Sequence, residues 1–176
     1  HDPLKCEELS AFFARDIWVY DATTEVKAPP RQIPQRFKDG CLYSGVRFFD
    51  GDCSEIAGYA STDPTAAVTW HNPGGIPTPP PIQVTDVLVD ASYLINMPII
   101  KRHGNPGVTL SFKNHFGSIA RCNSLHDWVF AAGTYYSGTA YNLLVDIYRN
   151  EHILGKTVLT VGDALFGNWH DNQSKT

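Results

Sequence analysis

Nine of the twelve prolines crowd into positions 29, 30, 34, 64, 73, 77, 79, 80 and 81, and that crowding limits the fold more than any other feature of the chain. Proline fixes φ and has no backbone N–H to give to a helix or a ladder, so residues 23–81 are expected to be an irregular Pro/Gly-rich insertion or cover. The turn signals Asp39-Gly40, Asp50-Gly51 and Pro73-Gly74-Gly75 break it further. Short strands fit at Leu42 to Phe49, Glu55 to Tyr59 and Ala67 to Trp70, and Thr78-Pro79-Pro80-Pro81 reads as a polyproline connector. An excursion of this length serves as a binding loop or cover when ordered, or it is a surface insertion without function.

Regular structure is expected on either side. Asp2-Pro3-Leu4 supplies an N-cap and a first-turn proline for a helix over about 3 to 14, with Leu9, Phe12 and Phe13 on its apolar face. Ile17 to Tyr20 reads as a buried strand. After the prolines, Val84 to Val89 suits a short helix, and Ser92 to Met97 a buried strand stopped by Pro98. Thr109 to Phe116 has helical spacing. Tyr141, Leu144, Val145 and Tyr148 mark a longer helix, with Thr139 as N-cap and Gly155 as C-cap, before a buried strand at Thr157 to Val161. Strand, helices, strand implies an α/β fold: a mainly parallel, Rossmann-like sheet with flanking helices and right-handed crossovers. A chain of 176 residues fits a single domain, with residues 82–166 as its α/β core.

Composition narrows the function. With 43% hydrophobic and 18% charged residues the chain can bury a core. A net charge of -4 and a pI near 5.9 speak against nucleic acid as a partner, because phosphate neutralisation needs a basic field. The longest apolar run, Tyr93 to Ile100, falls far short of the roughly 20 residues of a membrane helix. Cys6, Cys41, Cys53 and Cys122 form no CxxC, so neither a structural zinc nor an iron–sulfur cluster is expected within this chain. Their even number permits two disulfides in three pairings, Cys41 with Cys53 stapling the irregular loop, or else reduced, partly buried thiols. There is no initiator methionine, and His1 stands just before a helix start, so the chain reads as a piece of a longer protein.

The densest chemistry lies in Lys101 to Gly117, which holds three cations, two histidines and two asparagines directly after an apolar run. Lys101 and Lys113 can neutralise a carboxylate or phosphate, or stand as solvated surface lysines. His103 can act as a general acid or base, with His115, His126 and Asp163 as possible companions, although no pair has metal-site spacing. Asn114 can orient an oxyanion or cap a helix. Gly107 and Gly117 let backbone approach a ligand, but the segment is neither a GxGxxG nor a Walker loop. Asp163 can hold a base or merely end a strand. Asp146 in the late helix can assist or belong to a solvated face. No G-x-S-x-G elbow is present.

Asp90 to His103, containing Ile95-Asn96-Met97-Pro98 and Lys101, followed by Gly107 to Gly117 with Lys113-Asn114, resembles the bacterial and archaeal family called domain of unknown function 362. Val145-Asp146-Ile147 and Leu159 to Ala164 match further, so the resemblance covers about Thr85 to Phe166. It implies flanking segments missing from both ends. It also implies redox association in members joined to ferredoxin-like modules, and export signals in some, which favours an extracytoplasmic location slightly. It carries no established reaction. Three readings therefore stand: an enzyme in which His103, Lys113 and Asp163 do chemistry on a small anionic molecule held by Lys101, Asn114, Gly107 and Gly117; a noncatalytic binding module; or a structural fragment that assembles with itself or with the missing segments.

Overall fold

The computed structural model describes residues 13–23, 33, 36, 45–52, 60–71, 78–103, 107–120, 125, 128 and 142–168. The chain divides into two compact units, His1–Ile56 and Ala57–Thr176. Residues 3–12 of the expected helix over 3 to 14, the strand at Glu55 to Tyr59, His126, Thr139 and all four cysteines lie outside the described residues; at the end of that helix Phe13 is extended and exposed, and a 3-10 turn, Ala14–Asp16, follows.

In the first unit, strand β1 (Trp18–Thr23) pairs in parallel with β2 (Arg47–Asp52), Trp18 opposite Arg47 and Tyr20 opposite Phe49. The pairing is fastened on its aromatic face. Arg47 places its guanidinium 4.6 Å from the Trp18 ring and 5.0 Å from Phe49, whose rings lie 5.2 Å apart. Gly45 introduces β2 at φ +89, where a side chain would be strained. Asp50-Gly51 is part of β2 rather than a turn, because the ladder to Asp21 and Ala22 holds it extended. Ile17 and Val19 are exposed, so this strand is not the buried one its composition suggested.

The second unit begins with a 3-10 turn, Pro64–Ala66, capped by Asp63, which accepts from the Thr65 N–H at 2.8 Å. Extended backbone follows and joins the core through isolated bridges from Ala67 to Gln83 and from Val84 to Ile119. Part of the proline-rich stretch is therefore interior structure: Ala66, Val68, Ile82 and Val84 are all buried. Helix α1 (Asp86–Asp90) starts at Thr85, whose hydroxyl accepts from Val87 N–H. At its other end the Lys156 ammonium donates to the Leu88 and Val89 carbonyls at 2.8 and 2.6 Å, satisfying acceptors the helix leaves open.

Strands β3 (Leu94–Asn96) and β4 (Ile99–His103) follow, then β5 (Gly107–Thr109), which returns antiparallel to β4. Helix α2 (Ser111–Asn114) runs on into a 3-10 turn, His115–Ser118. Helix α3 (Leu143–Arg149) precedes β6 (Thr157–Thr160) and β7 (Asp163–Asn168). β6 pairs in parallel with β3, and β7 in parallel with β4. Parallel neighbours need a crossover, which the helical segments between β5 and β6 provide. Two hydrogen bonds link these separate pairs: Val161 N–H donates to Asn96 O and Asp163 N–H to Pro98 O, both at 2.9 Å, beside Pro98, which lacks an N–H of its own to give. The architecture is α/β, with short and mostly parallel strands in small sheets.

The core of this unit is the apolar stripe of α3, Leu143, Leu144 and Ile147, together with Val87, Leu88, Phe116, Ile119, Leu125 and Ile153. Asn142 is the N-cap of α3, its Oδ1 accepting from Leu144 N–H at 2.9 Å. The helix ends at Asn150, ahead of Gly155. Gly155 closes the following turn so tightly that a Cβ there would stand 2.6 Å from the Glu151 carbonyl oxygen. Among the described residues no helix is long and apolar enough to cross a membrane.

Candidate functional site

The polar segment Lys101 to Gly117 folds as hairpin, short helix and 3-10 turn. Lys101 is central in β4, flanked by Thr109 of β5 and Asn168 of β7. Thr109 is buried and donates its hydroxyl to the Lys101 carbonyl at 3.2 Å. His103 and Gly107 are paired across the far end of the hairpin. Leu110 then turns the chain into α2, which carries Lys113 and Asn114, and Gly117 lies in the 3-10 turn.

Asn96, at the end of β3, ties this arrangement together. Its side chain is buried; Nδ2 donates to the Ser111 carbonyl at 3.2 Å, and Oδ1 accepts from Asn114 Nδ2 at 2.7 Å. The Ile-Asn-x-Pro and Lys-Asn motifs are thus hydrogen-bonded to each other, and Asn114 is partly committed to structure. Asn96→Ala leaves the half-buried Ser111 carbonyl and the Asn114 amide without their partner, so a loss of about 2 kcal/mol is expected in chemical denaturation.

Lys113 and Phe116 are three apart and share a helix face. The Lys113 ammonium stands 3.7 Å from the centre of the buried Phe116 ring, a cation–π contact that holds the charge in place. His115 points inward instead. It packs 5.6 Å from Tyr148, its Nδ1 is 3.3 Å from the Ser118 hydroxyl, and its Nε2 is buried without a hydrogen bond. Burial pushes its pKa down to about 4, leaving a neutral ring at pH 7. The Asp163 backbone pairs with Ile99, two residues before Lys101 and at the opposite end of β4 from His103, a separation from His103 of about 13 Å at about 3.3 Å per residue.

Two further constellations occur in the same unit. His71 donates its backbone N–H to Asp146 Oδ2 at 2.7 Å, and its ring Nδ1 is 2.9 Å from Asp146 Oδ1. The Asp146 side chain is fully buried and that of His71 is 52% exposed, so Asp146 belongs to no solvated helix face. His152 Nε2 is 2.8 Å from the Thr65 hydroxyl, which donates to Asp63 Oδ1. These contacts hold the Asp63 carboxyl below its ordinary pKa, chiefly through Thr65. The sequence offered no sign of His71, whose partner is 75 positions away. Asp146 did leave one: it interrupts the apolar stripe formed by Leu143, Leu144 and Ile147, where a carboxylate needs a partner.

The second unit is therefore an α/β body whose polar hairpin-to-helix segment is fastened to a parallel ladder. A family model described as Domain of unknown function (DUF362) matches residues 55–173, well over half of the sequence, and the chain belongs to that family. No curated protein and no solved structure matches it. The match starts beside the boundary between the two units and takes in residues 60–85, upstream of where the sequence resemblance begins.

Proposed function

We propose that the second unit binds a small anionic ligand at the hairpin-to-helix segment, with Lys101, Lys113 and Asn114 as the polar contacts and Gly107 and Gly117 as points of close backbone approach. One observation carries this reading: the buried Asn96 amide fastens both ends of α2 to the β3 end, while Phe116 fixes the Lys113 charge. A site held this way needs little reorganisation when an anion arrives. His103 and Lys113 are the groups to move a proton or hold developing charge in a reaction. Asp163, whose backbone is held beside Ile99, is the third candidate for moving a proton. The same reading takes the ladder of β3–β4 with β6–β7 as the centre of a mainly parallel, Rossmann-like sheet, and any redox role as one exercised with a cluster-bearing partner.

The test is a thermal-shift panel of inorganic phosphate, sulfate, oxalate and citrate. Lys101→Met and Lys113→Met are each expected to weaken the best anion about tenfold or more, the scale of one charge-assisted hydrogen bond, with the unliganded Tm nearly unchanged. Variants that lose Tm yet keep their anion response would make the segment structural. An anion that binds without turnover of any ester, acid or phosphate tested would favour the noncatalytic module.

A further inference from the structure

We propose that the open face of the parallel strands in the second unit seats a second copy of this chain, face to face across a twofold axis. The face is a double row of apolar side chains. Along β3 and β4 it runs through Tyr93, Ile95, Met97 and Ile99; beside them stand Leu159 of β6, the register partner of Ile95, and Val161 just beyond that strand. These six residues are exposed by 44% (Val161) to 67% (Met97), while Asn96 and Pro98, between members of the first row, are buried. The period of two along a strand puts each row on one side. On the other side the sheet is covered, for the Asn96 amide reaches the Ser111 carbonyl and Asn114 of α2.

Parallel strands seldom stand with one apolar face in water; in α/β proteins both faces are covered. At these exposures the six residues present roughly 600 Å2 of surface, above the few hundred Å2 of contiguous apolar patch that soluble monomers rarely exceed and most of the about 800 Å2 per partner that a specific complex buries. The chemistry of the face selects the occupant. None of the six side chains is charged, and interfaces between identical chains are the more apolar ones, whereas those with a separate partner are about as polar as the rest of a protein surface. Charge enters at one end, where Lys101 follows Ile99 by two along β4 and Asp163 is the register partner of Ile99. These are one of each sign, so a copy meets no net repulsion. Twofold pairing sets Ile95 and Leu159, near the middle of the face, against the same pair of the other copy.

Sedimentation velocity of the whole chain across the micromolar range tests the proposal; the expected species is a dimer that dissociates on dilution. Ile95→Lys and Leu159→Lys each bring like charges together between the copies and should weaken dimerisation at least about a hundredfold. The Tm of the dilute monomer should hardly move, since both side chains already face water there. Met97 supplies a readout that needs no variant. It is the single methionine of the sequence, so its oxidation by peroxide, followed by peptide mass, reports on this face and should run severalfold slower above the dimerisation midpoint than below it. A wild-type chain that stays monomeric overturns the proposal, whatever else then covers the face. So does a dimer whose Met97 oxidises at one rate at every concentration, or one whose affinity survives both lysine substitutions.

Discussion

Acidification from pH 7 to pH 4.5 is expected to cost this protein about 2.5 kcal/mol of stability through His115 alone. The ring is 3% exposed, against Tyr148 and beside Phe116, and its Nε2 has no hydrogen-bond partner. Protonation would place an uncompensated charge there, which is why burial lowers the pKa from 6.5 to about 4. Above about pH 6.5 the ring is neutral in both folded and unfolded chains and costs nothing. As pH falls below 6.5 the unfolded chain takes up a proton that the folded one refuses, so stability declines until the folded ring also titrates near 4. Below that the loss levels off. Urea denaturation of wild type and His115→Leu at pH 7 and 4.5 measures it: the variant should lose about 2.5 kcal/mol less over that interval. An identical pH dependence in both chains would mean that His115 is protonated in place. The variant also removes an orphaned polar atom, so at pH 7 it should be no less stable than wild type.

The position of His115 explains what sequence pattern could and could not convey. Lys113, Asn114 and His115 are consecutive and equally polar, yet one stacks on Phe116, one meets Asn96 and one is buried. Helical geometry rather than residue type sorts them, about 100° apart around the axis. The motifs marked the segment, but the direction of each side chain depended on where Phe116 and Tyr148 packed. The strands tell a similar story. Ser92 to Met97 and Thr157 to Val161 do contain β3 and β6, and these pair in parallel as the order of elements implied. Neither is buried as its composition suggested: Tyr93, Ile95, Met97 and Ile99 alternate onto one exposed face, and Leu159 and Val161 are exposed as well. Apolar runs report what a strand can bury, not what covers it.

The proline-rich stretch illustrates the opposite case. Its irregularity was legible, because proline denies the backbone a ladder. Its contribution to the core was not. Extended backbone at 67–68 and 82–84 is held by isolated bridges and by side chains distant in sequence, so no local periodicity announces it. The same is true of His71, whose carboxylate partner comes from a helix far along the chain.

Those long-range side chains make Asn150 the most damaging single substitution expected here. Asn150 caps α3 and is buried; its Nδ2 donates to both the Thr65 and Ala67 carbonyls, at 3.2 and 3.1 Å, and its Oδ1 accepts from His152 N–H at 3.0 Å. Two acceptors on one side and a donor on the other fix the orientation of the amide. Asn150→Ala removes all three bonds at once. Backbone groups at 65–67 and 152 then lose their partners, and the loss should reach about 3 kcal/mol, allowing for water reaching the more exposed carbonyls. The harm should spread, because Thr65 also holds His152 and the Asp63 cap. A thiol introduced at the buried Ala66 and followed by alkylation should therefore react faster in the Asn150→Ala background than in wild type. Asn150→Asp separates hydrogen bonding from shape. It is nearly isosteric, yet it turns a carboxylate oxygen toward two carbonyl oxygens. If bonding is what matters, it must destabilise at least as much as alanine. Near-native stability for the aspartate variant would mean that Asn150 acts by filling space, and that the 65–67 segment is held by its apolar contacts alone.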